Sequence, residues 1–240
     1  MCVGLEKEEL NLISSSKDIK KVSMRELGLA TSLGWSGATT VSSTMHIAKR
    51  ANIEVFATGG IGGVHRDVGQ SFDISQDLAA LSRISMVVVS AGAKSILDLP
   101  KTVELLETLG VSMLGFKTSE FPSFYSRSSG IKRVTKVDSV KRVSEVFLNN
   151  RYLETLGATL VLNPTPAESE IPIEIMDPII HSAMAELNKR GIEGKMVTPF
   201  LLSYIHEKTE GKSLDANISL ALNNIQLGSK IAKSLNAKEG

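Results

Sequence analysis

The chain has 240 residues, enough for one large α/β domain or two small ones, and 42% of them are hydrophobic. Its 27 Lys and Arg against 26 Asp and Glu leave a net charge of +1 with no basic stretch, which excludes the electrostatic footprint of a nucleic-acid polymer binder. The single cysteine, Cys2, excludes an internal disulfide, the apolar runs are too short to span a membrane, and Glu8-Glu9 come too early for a signal-peptide core, so a cytoplasmic protein without membrane contact is expected.

In chain order, a modest helix is predicted over Leu10–Ile19 and a better one over Val41–Ala51, ended by Asn52. The Val- and Ile-rich run Ile53–Ala57 reads as a buried strand. Ser75–Arg83 has the cap of a helix start at Ser75, with Asp77 in the first turn. Met86–Val89 is a second strand. Pro100–Leu109 opens with proline and closes at Gly110, the asymmetry of a helix with defined ends. Strands over Val111–Phe116 and Thr159–Leu162 flank a helix over Ser139–Asn150. Helices over Asp177–Arg190, Thr198–Glu210 and Leu214–Leu235 make the last third mostly helical. Alternation up to about residue 165 predicts a three-layer α/β/α sandwich with a mixed or largely parallel sheet, and residues 1–240 read as one domain.

Three segments are candidates for chemistry. Ala57-Thr58-Gly59-Gly60-Ile61-Gly62-Gly63-Val64-His65-Arg66 follows a strand and places four glycines in five positions. Such a loop brings backbone N–H groups close to an anion, and His65 and Arg66 can donate to it, although the same composition also serves a plain tight turn. In Phe72-Asp73-Ile74-Ser75-Gln76-Asp77-Leu78, two carboxylates flank a hydroxyl before a helix, which suits either capping or a hard metal ion such as Mg²⁺ or Mn²⁺. Lys94 leaves the all-apolar strand Met86–Val89 among small residues, where ligands bind in open α/β folds. Partial burial would lower its pKa, as an imine-forming amine needs, while the plain alternative is a lysine reaching out to solvent. Thr39–Thr44 reads as a hydroxyl cluster at a helix start, Asn163-Pro164 as an architectural turn, and Asn217, Asn223 and Asn224 as helical asparagines with a polar task.

Together these three motifs, in this order, resemble the pseudouridine-5′-phosphate glycosidase family, also called the indigoidine synthase A-like family. Lys21-Val22-Ser23, Gly37-Ala38-Thr39-Thr40-Val41, Thr198-Pro199-Phe200 and Asn217-Ile218 extend the match over nearly the whole chain. The resemblance implies reversible cleavage of the C–C glycosidic bond of pseudouridine 5′-phosphate to uracil and ribose 5-phosphate. A carbon leaving group has no lone pair to protonate, so the family opens the ribose ring and bonds C1′ to a lysine, here Lys94. It implies Asp73 as ligand of Mn²⁺ or another divalent cation such as Mg²⁺. It also implies substrate contacts from Lys21, Val41, Thr58, His65, Ser75, Gln76, Asp77 and Asn217, and a homo-oligomer, commonly a trimer. The family's proton donor is a glutamate in a Glu-Ser-Thr motif several dozen residues upstream of Met1, and Met1–Leu5 aligns with a family strand. The chain is therefore expected to lack a front segment, with Glu6, Glu8 and Glu9 outside the motif's context and activity weakened or absent. The alternative expectation is a non-catalytic ribose-phosphate- or nucleotide-binding protein.

Overall fold

A computed structural model describes residues 2–16 and 18–237. The first third runs α1 (Lys7–Ser15), β1 (Lys20–Val22), a 3₁₀ turn (Met24–Glu26), α2 (Leu27–Ser32), β2 (Gly37–Thr39), α3 (Val41–Arg50) and β3 (Val55–Ala57). There follow α4 (Val68–Ser71), α5 (Gln76–Leu81), β4 (Val87–Ser90), α6 (Leu99–Thr108), β5 (Ser112–Phe116), β6 (Thr135–Val137), α7 (Val140–Tyr152) and β7 (Thr159–Leu162). Beyond β7 the chain is helical, with α8 (Ile173–Lys189), α9 (Val197–Lys208) and α10 (Lys212–Asn236).

Five strands form a wholly parallel sheet in the order β3-β4-β7-β5-β6, and β1 and β2 pair in parallel as a separate ribbon. In the centre, Val88 lies opposite Leu160 and Leu160 opposite Met113. Every residue of β4 and β7 is buried, because helices cover both faces. Val88, Leu160 and Leu162 join one core with Met45, Leu78, Leu106 and Ile180 from α3, α5, α6 and α8. Their strand neighbours Val87, Val89 and Val161 join the other, with Phe147 of α7 and Leu227, Ile231 and Leu235 of α10. The period-2 alternation of side chains thus serves two apolar layers at once, and a three-layer α/β/α sandwich results.

Local chemistry explains most helix ends. Asp98 caps α6, its Oδ1 accepting from Lys101 N–H at 3.0 Å, and Gly110 follows with φ +71°. Asn52 ends α3 in the left-handed region, φ +56°. Three expectations need correction. The first helix is Lys7–Ser15, not Leu10–Ile19: Glu6 and Glu9 form a capping box at its start, and Ser16 turns extended toward β1. The helix expected from Asp177 begins at Ile173, because Pro178 removes a single backbone donor near the helix start and the run continues through it. Met1 lies outside the described residues, and residues 2–5 form no strand; Gly4 there has φ +81°. Among the described residues no helix is long and apolar enough to cross a membrane.

Candidate active site

In a parallel sheet, the loops leaving neighbouring strands share one edge. β3 and β4 are neighbours, so the glycine-rich loop and the Lys94 turn emerge side by side. Their pairing continues past the formal strand ends: Thr58 N–H donates to Val89 O (2.9 Å), Ala91 N–H to Gly59 O (2.9 Å), Ile61 N–H to Gly92 O (3.0 Å) and Lys94 N–H to Ile61 O (3.1 Å). Two close approaches require glycine. A Cβ on Gly62 would meet Ser75 Oγ at 2.2 Å, and Gly92, at φ +87°, would meet Pro122 O at 2.1 Å.

These loops open into a cleft of about 1710 Å³, also bordered by β1, the first turns of α3 and α5, and α8 to α10. The ten residues that the resemblance assigns to catalysis, substrate or metal all line it: Lys21, Val41, Thr58, His65, Asp73, Ser75, Gln76, Asp77, Lys94 and Asn217. Burial pulls the Lys94 ammonium below the ordinary lysine pKa; Asp77 works against that and Lys21 adds to it. Lys94 thus stands in the cleft, at the turn after β4 and beside the glycine-rich loop, with its pKa held below the ordinary lysine value.

Several neighbours are already committed. Asp77, 5% exposed, accepts from Ser42 N–H (Oδ1, 2.9 Å) and Gly62 N–H (Oδ2, 2.8 Å). It thereby satisfies an orphan donor at the start of α3 and ties that helix to the glycine loop. Ser75 Oγ accepts from Asp77 N–H at 3.2 Å as the cap of α5. Gln76 Oε1 accepts from Arg25 N–H at 3.2 Å, fastening the Met24–Glu26 turn to α5. Thr40 and Ser42 hydroxyls bond each other at 2.9 Å, and Ser43 Oγ donates to Val22 O at 2.7 Å, so the hydroxyl cluster holds α3 to β1. Behind the loop, Asn224 Nδ2 donates to Thr58 O (2.8 Å), while Asn223 Nδ2 donates to Pro164 O (3.2 Å).

Asp73 and His65 face each other, Oδ2 to Nε2, at 3.7 Å, and the Asp73 side chain is 46% exposed. Among the described residues no group of three or more His, Cys, Asp or Glu could hold a metal ion. Asp73 does present a half-exposed carboxylate to the cleft, a hard oxygen donor of the type Mg²⁺ accepts alongside water and substrate oxygens.

The sequence reading missed some of the wall. Phe124 lines the cleft in the left-handed region, φ +62°, and a Cβ on Gly60 would strike its ring at 2.6 Å. An aromatic residue in that conformation has no sequence signature. Glu26 also borders the cleft. Burial would raise its pKa, but hydrogen bonds from Ser23 and Arg25 overcome this and hold it at about 2. Glu6, Glu8 and Glu9 belong to α1 and its cap and are not among the lining residues.

Residues 1–234 match the family model described as indigoidine synthase A like protein. The pseudouridine-5′-phosphate glycosidase of Staphylococcus aureus (strain MW2) is 47% identical over 234 residues, 98% of this chain and 76% of that protein. The same-named protein of Petrotoga mobilis is 48% identical over 236 residues, 98% of this chain and 77% of its own. Among solved structures, the prealnumycin C-glycosynthase AlnA in complex with ribulose 5-phosphate superposes with a TM-score of 0.92 at 35% identity, covering 98% of this chain and 78% of that one. An indigoidine synthase A-like protein from Thermotoga maritima gives 0.89 at 40% identity, with 98% and 76% covered. Sequence and fold agree along the whole length of the match, and the chain belongs to the indigoidine synthase A-like family.

Proposed function

We propose that the protein is a pseudouridine-5′-phosphate glycosidase that cleaves the C1′–C5 bond reversibly, giving uracil and ribose 5-phosphate through an imine on Lys94. The observation that carries this is Lys94 itself: a half-buried amine of lowered pKa, at the exit of a central strand and beside a loop of four glycines. The names of the Staphylococcus and Petrotoga relatives support the substrate, and the sugar phosphate in the AlnA complex supports the ribose phosphate half of the site.

Chemically, the C1′–O4′ bond opens and O4′ takes a proton, while Lys94 Nζ bonds C1′ and gives one up. The C1′–C5 bond then breaks with its electron pair going to C5, which is protonated to uracil, as the nitrogen lone pair closes the C=N bond. Water hydrolyses the imine to ribose 5-phosphate and frees Lys94, so one water is consumed overall. Lys21 receives the phosphate, while the loop N–H groups of Ile61, Gly62, Val64 and His65 are spent on Gly92 O, Asp77 Oδ2, Thr102 Oγ1 and Asp73 O and hold the loop's shape. Val41, Thr58, His65, Ser75, Gln76 and Asn217 shape the remaining pocket, and Asp77 holds two backbone donors in place for it. Asp73 would hold Mn²⁺ or Mg²⁺, which would supply positive charge to anionic oxygens. Glu26, ionised at neutral pH, is unsuited to give the C5 proton. The resemblance gives that proton to a glutamate of a Glu-Ser-Thr motif that these 240 residues do not contain. A cytoplasmic homo-oligomer, a trimer by resemblance, completes the proposal.

Borohydride trapping with ribose 5-phosphate, followed by peptide mass analysis, tests it. The expected adduct lies on Lys94; an adduct elsewhere, or none on folded protein, overturns it.

A further inference from the structure

We propose that Arg66 is a positioning residue for Lys94, acting through the carbonyl of Ser95. Lys94 begins a four-residue turn closed by Leu97 N–H donating to Lys94 O at 3.0 Å. The glycine-rich segment grips this turn at three points. Ile61 O accepts from Lys94 N–H at one end (3.1 Å), and Val64 O accepts from Asp98 N–H just past the other (2.9 Å). Between them, Arg66 Nη2 donates to Ser95 O at 3.1 Å and pins the carbonyl at the apex. This last grip alone comes from a side chain, and it lies one residue from the nucleophile.

Hydrogen-bond saturation does not explain the contact. Arg66 Nε is buried without a partner, and so is Oγ of Ser95, a residue 3% exposed. Nor does an ion pair explain it. Asp98, the carboxylate whose charge Arg66 feels, is engaged by Lys101 through both oxygens, at 3.0 and 2.6 Å. Among the described residues the one side-chain hydrogen bond of Arg66 goes to Ser95 O. What the contact achieves is placement. With both ends and the apex of its turn held, the Lys94 backbone cannot rock relative to the loop that receives the sugar phosphate.

The proposal rests on the imine chemistry above, and the test separates the two. Imine formation with ribose 5-phosphate is measured by borohydride trapping across a concentration and pH series, for wild type, Arg66→Met and Arg66→Lys. A misplacement of about 1 Å costs on the order of 10²-fold. The saturated trapping rate of Arg66→Met is therefore expected to fall toward that extent. Its pH midpoint should stay in place, because burial, Asp77 and Lys21 set the Lys94 amine, and half-saturation should change little. Arg66→Lys, which keeps the stem and one donor, should recover part of the rate. A wild-type saturated rate in Arg66→Met overturns the proposal. So does a rise in half-saturation alone, which would make Arg66 a phosphate ligand, or a rate loss that matches the unfolded fraction seen by circular dichroism. Should Arg66→Met not fold, Arg66→Lys is read on the same three quantities, and an unchanged rate there overturns the proposal. If wild type forms no adduct on Lys94, the imine assignment falls first, whatever the variants do.

Discussion

Asn224 and Thr58 are 166 residues apart in sequence and joined by a 2.8 Å hydrogen bond, Asn224 Nδ2 donating to the carbonyl that opens the glycine loop. Asn224 is fully buried, and its Oδ1 accepts from Asn163 Nδ2 at 3.0 Å. One amide thus links α10, the turn after β7 and the loop after β3. Asn224→Ala would strand the Thr58 carbonyl and the Asn163 amide in the interior. At about 1–3 kcal/mol for each buried group left unsatisfied, a loss of roughly 2–6 kcal/mol is expected. Urea unfolding monitored by circular dichroism measures it; a loss below about 1 kcal/mol would show that water replaces the amide without cost.

The charges around Lys94 predict opposite pH shifts from two substitutions. Asp77 holds the Lys94 pKa up and Lys21 pushes it down. Asp77→Asn should move the pH midpoint of Lys94 reactivity lower, and Lys21→Met should move it higher. Labelling by fluorodinitrobenzene, read at the Lys94 peptide, gives both midpoints without any sugar phosphate. Shifts of the same sign would mean that burial changes, not charge, dominate the site.

Asp77→Asn has a second consequence. An amide offers one acceptor oxygen where the carboxylate offers two, so either Ser42 N–H or Gly62 N–H loses its partner. A stability loss of about 1–3 kcal/mol should accompany the pH shift. Thermal unfolding of the variant beside wild type checks this.

Glu26 makes acid stability a measurable property of the cleft wall. Its pKa is lowered from 4.5 to about 2 in the folded protein, so its contribution is fully present above about 4.5 and is lost as pH falls through about 2. Wild-type stability should decline over that window more steeply than that of Glu26→Gln, which has no proton to take up there. Parallel urea titrations from about pH 5 down to about pH 2 span that window and decide it; equal slopes would show that Glu26 does not contribute.

Asp73→Asn should weaken Mn²⁺ binding by removing a charged oxygen ligand, with little change in melting temperature because the side chain is half-exposed. Calorimetric titration of the metal into both proteins measures this, and equal affinities would place the cation elsewhere.

What the sequence alone determined were features whose physics is local or carried by a contiguous motif. The longer strands β4, β5 and β7 show as apolar runs, as does the segment that ends in the three-residue β3, and Asn52, Gly110, Gly191 and Gly211 mark helix ends because left-handed backbone favours Asn and Gly. Lys94 stood out as a lysine among small residues directly after an apolar run, but its role came from the family's motifs, as did the other nine candidate residues that converge with it on one cleft. Tertiary structure alone decided the rest. β1, β2 and β6 have three residues each, too few for any periodicity, and exist because a neighbour completes their hydrogen bonds. The insertion of β7 between β4 and β5 depends on which faces the crossover helices cover, information spread over the whole chain. The same holds for side-chain roles. Asp77 looks like a helix-start acid in sequence but spends both oxygens on backbone 35 and 15 residues away, and Arg66 reaches a carbonyl 29 residues on. Such partners are chosen by close packing of distant segments, where the cost of an unpaired buried group fixes which donor meets which acceptor.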